Sequence, residues 1–406
     1  LENYAPDFKL TPSTASEGLQ IPGVINLPPE GVSKWELSAE KEWEARLGRV
    51  AGLVRHLFGV DNVFIRLVGA DGNWIRMESG SPLFQRKNGE MLCDFTLNRD
   101  DTLQVSDVDT DPRIASKELL NDASELKSYV GHSLESDTGE HIGVLCAWNV
   151  QPRTFNEDEL ALFEDVVFWV QRELMTAREF LRAAKIQRGL LPNHSIELPG
   201  YDIKGYFLPA NLISGDFYDW YESTGGMEFS LADVMGKGVG AAILAATVRA
   251  VLRAGSRDHS PGVTVGIAAE ILDRDFISSN SFVTLVHGRL DAASGVVTYA
   301  DAGHGLSLLI KRDGTFFRLA SFNLPLGTGL SNKWEENTVS LEPGDTFMSV
   351  SDGILEIFDG TLDGIHQMGY IVNSSKSAQE IIDQIAKLAA DKSMPDDIAV
   401  LVLRRM

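Results

Sequence analysis

Apolar residues fall three and four apart over Leu47, Val50, Ala51, Val54 and Leu57, which predicts an amphipathic helix that starts at Trp35 and is stopped by Gly59. The segments Val63 to Val68 and Trp74 to Glu78 flank Asp71-Gly72-Asn73 and read as a hairpin. A second hairpin is expected around Asp137-Thr138-Gly139-Glu140, feeding the apolar strand Ile142 to Trp148. Before Trp35 the chain carries Pro6, Pro12, Pro22, Pro28 and Pro29 with no sustained period, so residues 1–34 are expected to be an extended arm.

A second amphipathic helix is expected from Asn156, and its stripe does not stop where a domain would need it to. Val167, Val170, Leu174, Ala177, Leu181 and Ala184 continue at alternating steps of three and four, with Arg172, Glu173, Arg178, Glu179 and Arg182 around them. That pattern predicts a parallel two-stranded coiled-coil linker and hence a homodimer; the alternative is a stripe packed on its own domain. Leu191-Pro192 ends the helix. Residues 35–172 therefore form one unit, 173–192 a helical linker and 193–406 a second unit.

From Tyr201 onward the pattern gives two strands, two helices, several strands, a helix from Ala378 to Asp391 and a last strand from Ile398 to Leu403. Phe282 to Val286, Val296 to Ala300 and Leu306 to Ile310 are separated by turns at Asp291 to Gly295 and Asp313-Gly314, as in antiparallel meanders. The fold class is α+β.

The 406 residues are long enough for two or three domains, and 44% hydrophobic with 23% charged residues is an ordinary globular composition. The 36 Lys+Arg against 58 Asp+Glu leave a net charge of -22, which disfavours nucleic-acid and membrane partners. Cys93 and Cys146 are too few for a disulfide framework and read as buried thiols of a reducing, cytoplasmic compartment. The chain begins at an acidic Leu1-Glu2-Asn3-Tyr4 without the regions of a signal peptide, and a domain upstream of Leu1 is left open.

Candidate chemistry lies in the second half, where aspartates stand at the ends of apolar segments: Asp216, Asp233, Asp352 and the pair Asp396 and Asp397. Any one could be a turn former, but several carboxylates in one cleft cannot all stay ionised without cations. Hard divalent ions answer that need. Oxygen donors without clustered histidines or thiolates point to Mn²⁺ or Mg²⁺ rather than zinc. Two such ions sharing a carboxylate would activate water against a phosphoryl group. The glycine-rich Val234-Met-Gly-Lys-Gly-Val-Gly240 fits neither a Walker loop nor a dinucleotide fingerprint. His304 reads as structural, and Lys237 as a solvated lysine.

The ordered set Ile213-Ser-Gly-Asp-Phe-Tyr-Asp-Trp220, Ala232-Asp-Val-Met-Gly-Lys-Gly-Val-Gly-Ala-Ala242, Asp301-Ala-Gly-His304, Leu324-Pro-Leu-Gly327, Ser351-Asp-Gly-Ile-Leu-Glu356 and Asp396-Asp397 resembles the bacterial sporulation and stress-response (SpoIIE-like) branch of the PPM-type serine/threonine phosphatases. The resemblance implies an αββα sandwich holding two Mn²⁺ or Mg²⁺ ions. Asp233 would bridge them with the Val234 carbonyl as a further ligand, Asp352 and Asp396 on one side and Asp216 on the other. Asp216, Asp233 and Asp352 are the implied catalytic carboxylates. Either Asp396 or Asp397 could ligate, and Asp396 is preferred from the family's last motif. The implied substrate is a phosphorylated STAS-domain protein, an anti-sigma-factor antagonist in a partner-switching pathway. Ala184 to Pro192 is similar to the junction that feeds such a domain from a sensor.

Two positions depart from the family pattern: Ser214 replaces a glycine, and Ala399 stands where a threonine is usual. Ser214 would strain the turn if its φ were positive, and Ala399 would remove a hydroxyl near the last ligand. These departures motivate an alternative, a catalytically weak phosphoprotein-binding or scaffold module. A nucleotide cyclase or phosphodiesterase is disfavoured by the lack of His-Asp metal pairs. Leu92 to Thr96, Leu103 to Arg113, Tyr129 to Gly131, Ile142 to Cys146 and Pro152 to Phe155 look like a GAF sensor domain, which implies a six-stranded antiparallel sheet around a small-molecule or protein signal. Cys93 is expected to be a buried apolar thiol rather than a bilin attachment point.

Overall fold

The computed structural model describes residues 34–68, 74–79, 92–114, 126–192, 196–257, 259–320, 323–330, 333–358, 360–390, 392 and 394–406. The expected arm before Lys34 and the turn at Asp71 to Asn73 lie outside the described residues. The chain divides into two units, Leu1–Glu179 and Phe180–Met406.

The first unit contains α1 (Lys34–Phe58), β1 (Asn62–Val68), β2 (Trp74–Ser79), α2 (Leu92–Leu97), β3 (Leu103–Val105), β4 (Ser128–Glu135), β5 (His141–Asn149) and the start of α3 (Glu157–Leu190). Its five strands form one sheet in the order β2-β1-β5-β4-β3, every neighbouring pair antiparallel. Residues 80–91 and 115–125 are not described, so the sheet is five-stranded among the described residues against the six implied. Strand alternation splits the apolar side chains between the two faces. Val63, Ile65, Leu67, Leu145 and Ala147 pack with α1 and α3, while Phe64, Val144, Cys146 and Trp148 pack with α2.

Helix α3 starts at a reciprocal cap: the Glu159 amide donates to Asn156 Oδ1, and the Asn156 amide donates to the Glu159 carboxylate, both at 2.9 Å. The heptad stripe on this helix does not serve the role expected of it over its first half. Val167, Val170 and Leu174 are buried within their own unit beside Leu47, Val54 and Ile65, so they cannot form a seam with a second chain. The three-four spacing is common to a coiled coil and to a helix laid on a sheet, and here the sheet takes it. Phe168, Trp169 and Ile186 remain exposed on α3.

The second unit contains β6 (Tyr201–Leu208), β7 (Phe217–Ser223), β8 (Gly226–Val234), α4 (Val239–Gly255), α5 (Pro261–Ser279), β9 (Val283–Asp291), β10 (Val296–Ala302), β11 (Ser307–Ile310), β12 (Phe316–Leu319), β13 (Asn337–Ser340), β14 (Thr346–Val350), α6 (Gly353–Glu356), α7 (Asp363–Ser374), α8 (Ala378–Ala390) and β15 (Ile398–Arg405). Two five-stranded antiparallel sheets, β13-β10-β9-β8-β7 and β12-β11-β14-β15-β6, stack face to face. Met227, Phe229 and Leu231 of β8 meet Ala399, Leu401 and Leu403 of β15 between them. The alternate positions face helices: Ala232 and Val234 pack with α4 and α5, and Ile398, Val400 and Val402 with α7 and α8. The αββα sandwich is thus built from strands buried on both faces. Helix α7 is an element the sequence pattern did not suggest. It carries Gly364 and Gly369, poor helix formers, and a Cβ at Gly369 would stand 2.8 Å from the Phe316 ring, so packing decides its conformation.

Candidate metal centre

The topology gathers the aspartates at one end of the sandwich. Phe217 pairs with Ala232, which sets Asp216, just before β7, beside Asp233 near the end of β8. Val350 pairs with Val400, which sets Asp352, just after β14, near Asp396 and Asp397 ahead of β15. Each sheet contributes one group of carboxylates.

Asp216 is 3% exposed, and its Oδ2 is buried with no hydrogen-bond partner. Burial first, then the charges of Asp233, Asp397 and Asp352, hold its carboxyl well above the ordinary range. Asp233 is pushed up to about 6, by burial and then by Asp352. Asp352 keeps access to solvent, yet partial burial and next the Asp396 charge raise it too. The residues present fit a divalent cation in this respect: oxygen donors only, mutually repelling, with one buried oxygen left unpartnered. As they stand, no three acidic, histidine or cysteine side chains among the described residues converge on one coordination point.

The pair Asp396 and Asp397 is separated by its surroundings. Asp397 is 5% exposed and both its oxygens are engaged by the protein: Oδ1 accepts the Ala210 amide at 2.7 Å, and Oδ2 accepts the Ser214 hydroxyl at 2.6 Å and the Gly215 amide at 3.2 Å. These bonds work against the burial that raises its carboxyl. Asp396 is half-exposed, and its Oδ1 lies 3.1 Å from Lys237 Nζ. Lys237 is exposed, as expected, and is engaged as well: it also donates to the Pro395 carbonyl at 2.6 Å.

Ser214 has no positive φ, since Asn280 is the only non-glycine with one among the described residues. Its hydroxyl links two of the aspartates, donating to Asp397 and accepting the Asp216 amide at 2.9 Å. Gln187, near the end of α3, grips the same residue from the other side: its Oε1 accepts the Ser214 amide at 3.0 Å and its Nε2 donates to the Ser214 carbonyl at 2.6 Å. Gly215 must lack a side chain, because a Cβ there would stand 2.7 Å from the Val234 carbonyl oxygen. That close approach puts the Val234 carbonyl against the Asp216 turn.

The Ala399 side chain is buried in the apolar layer between the sheets. The hydroxyl beside the last aspartates comes instead from Ser351, which donates to the Asp397 carbonyl at 3.1 Å and accepts the Ala399 amide at 2.8 Å. His304 is buried, bonds Ser349 Oγ through Nε2 at 3.0 Å, and is brought down to about 4 by burial, which agrees with a structural part. The roles of Gln187 and Ser351 were not suggested by the sequence. Neither residue type announces chemistry, and both act through contacts distant in the chain.

Residues 223–406 match the family model of stage II sporulation protein E, SpoIIE, and residues 42–174 match that of the GAF domain. Asp233, Asp352, Asp396 and Asp397 fall inside the SpoIIE match, whereas Asp216 precedes it. The phosphoserine phosphatase RsbU of Bacillus subtilis is 28% identical over 249 residues, covering 58% of this chain and 72% of that protein. Protein IcfG of Synechocystis sp. is 26% identical over 206 residues, covering 44% of this chain but only 32% of its own length. Among solved structures, the SiaA-PP2C domain of Pseudomonas aeruginosa superposes with a TM-score of 0.51 at 21% identity, covering 58% of this chain and 98% of that one, a likeness of fold. Among the described residues no helix is long and apolar enough to cross a membrane.

Proposed function

We propose that this chain, a GAF domain followed by a phosphatase domain of the SpoIIE branch of the PPM family, is a signal-regulated, divalent-metal-dependent protein serine/threonine phosphatase. The observation that carries the reading is the cluster of mutually repelling carboxylates around Asp216, whose buried Oδ2 has no hydrogen-bond partner, in a domain of this family. In this reading Asp216, Asp233, Asp352 and Asp396, with the Val234 carbonyl, would hold two Mn²⁺ or Mg²⁺ ions. When bound, such ions supply Lewis acidity toward the phosphoryl group and lower the pKa of water to give a nucleophile at neutral pH.

The remaining residues hold these donors in place. Asp397 ties the Ala210 to Gly215 loop to the start of β15, and Ser214 passes that anchorage to the Asp216 backbone. Ser351 fixes the backbone of Asp397 beside Asp352. Lys237 holds the Asp396 carboxylate and its preceding loop through Pro395. Asp397 is a positioning residue in this reading, because both of its oxygens already accept hydrogen bonds from protein donors.

A phosphoserine substrate is supported by the relative named as a phosphoserine phosphatase, and a STAS-domain anti-sigma-factor antagonist is the substrate class of this reading. The GAF domain receives the signal, and a cytoplasmic homodimer completes the scheme. With Val167, Val170 and Leu174 committed to their own core, the dimer contact falls to residues such as Phe168 and Trp169 that α3 leaves exposed.

Phosphate release from p-nitrophenyl phosphate during a Mn²⁺ titration tests this reading, with Asp233→Asn alongside. Metal-dependent turnover lost in the variant is expected. Turnover that survives in Asp233→Asn would reject the assignment of that residue, and tight phosphoprotein binding without Mn²⁺ uptake would favour the scaffold.

A further inference from the structure

Cys93 and Cys146 are 53 positions apart, yet their Sγ atoms stand 3.0 Å from each other. Both are free thiols, 1% and 0% exposed, in the layer of the first unit formed by α2 and one face of the sheet. Cys93 sits in the first turn of α2, and Cys146 lies mid-strand in β5, paired with Phe64 and Gly131. A disulfide requires about 2.05 Å between the sulfurs, so closure takes a shift of about 1 Å between a six-residue helix and a central strand.

The surroundings treat the two sulfurs differently. Arg66, from the neighbouring strand β1, places its charge beside both thiols and also pairs with Asp94 at 3.9 Å. Tyr129 reaches the same spot, with its hydroxyl 2.8 Å from Thr96 Oγ1. The hydrogen bond from Cys146, helped by Arg66 and Tyr129, brings the Cys93 thiol down to about 7 against the opposing effect of burial. Burial keeps Cys146 well above the usual thiol range.

We propose that Cys93 and Cys146 form an oxidation site that a peroxide converts to an intramolecular disulfide. The Cys93 thiolate attacks one oxygen of the peroxide, the O–O bond breaks, and the departing oxygen takes up a proton as water, leaving Cys93 as a sulfenic acid. Cys146 then loses its proton and attacks the Cys93 sulfur; the S–O bond breaks, and hydroxide leaves with that proton as a second water. Two thiols and one hydrogen peroxide give one disulfide and two waters. Hydrogen peroxide is close to water in size and reaches the buried pair through local opening of the domain. The proposal is independent of the phosphatase reading, because it concerns the first unit alone and its product is read chemically.

The test uses the full chain, which has only these two cysteines, so thiol counting is unambiguous. Hydrogen peroxide treatment followed by alkylation under denaturing conditions should show loss of both thiols, a mass decrease of two hydrogens, recovery with dithiothreitol, and one linked peptide pair joining Cys93 to Cys146. In Cys146→Ala, dimedone should trap a sulfenic acid on Cys93, while Cys93→Ala should leave Cys146 alkylatable. The proposal is overturned if both thiols of the wild-type chain stay alkylatable at peroxide doses that oxidise its methionines, or if the linkage joins two chains. The wild-type result decides the matter even if a variant fails to fold.

Discussion

The Ser214 hydroxyl donates to Asp397 Oδ2 at 2.6 Å across 183 positions of sequence, and the same oxygen accepts the Asp216 amide at 2.9 Å. One side chain thereby joins the loop that enters β7 to the loop that enters β15. The first prediction follows from the engagement of Asp397. Asp397→Asn should raise the Mn²⁺ concentration for half-maximal activity by about ten- to a hundredfold while leaving turnover at saturating metal largely intact. Asp396→Asn should lose turnover even at saturating metal. A Mn²⁺ titration of p-nitrophenyl phosphate hydrolysis checks both, and equal behaviour of the two variants would remove the distinction between ligand and positioning residue.

Removing a charge from the cluster should make the metal-free protein more stable. Asp216 is buried, and Asp233, Asp397 and Asp352 all raise its carboxyl, so Asp216→Asn removes a group whose charged form the folded chain disfavours. With EDTA at pH 7.5, the thermal transition of the phosphatase unit should rise, by about 2–4 °C for each kcal/mol relieved. Activity should be lost in the same variant. A lower transition would mean that the buried carboxylate is held by the protein itself.

Gly353 follows Asp352, and a Cβ on it would stand 2.0 Å from the Asp397 carbonyl oxygen. Gly353→Ala should therefore push the start of β15 away from α6, at a cost of about 1–3 kcal/mol in stability, and weaken metal binding. Chemical denaturation together with isothermal titration with Mn²⁺ measures the two effects. Wild-type behaviour in both would show that the contact relaxes without consequence.

The pH dependence of stability has a contribution from His304. Its folded pKa of about 4 lies below the ordinary value of about 6.5, owing to burial. Between these values the unfolded chain takes up a proton that the folded chain does not, so this contribution is full above about pH 6.5 and is lost as pH falls toward 4. It amounts to about 3 kcal/mol as an order of magnitude. Urea denaturation between pH 7 and pH 4.5 should show a shallower acid decline in His304→Gln than in the wild type; parallel curves would indicate that His304 does not titrate in this window.

Leu174 is 4% exposed in the core of the GAF unit. Leu174→Glu should lower the thermal transition of that unit through burial of an unpaired charge. Circular dichroism melting reads this directly. A variant that melts normally but sediments as a smaller species would instead place Leu174 in a contact between chains.

By itself the sequence determined an α+β class from local pattern, the αββα arrangement from the ordered motifs of a family, and a set of aspartates proposed to bear the chemistry. Apolar runs bounded by turn residues marked the strands and the meander, and the spaced acidic motifs singled out Asp216, Asp233, Asp352 and the Asp396 and Asp397 pair. Tertiary structure decided what local pattern leaves degenerate. A three-four stripe suits a coiled coil or a helix on a sheet, and only the packing of Val167, Val170 and Leu174 under their own domain chose between them. Two adjacent aspartates are chemically identical in sequence, and only the donors of Ala210, Ser214 and Gly215 told Asp397 from Asp396. The same holds for the two cysteines, whose separation in the chain gave no sign that folding brings their sulfurs together. Local periodicity sets which face of an element is buried, but the partners across it are set by chain segments far away.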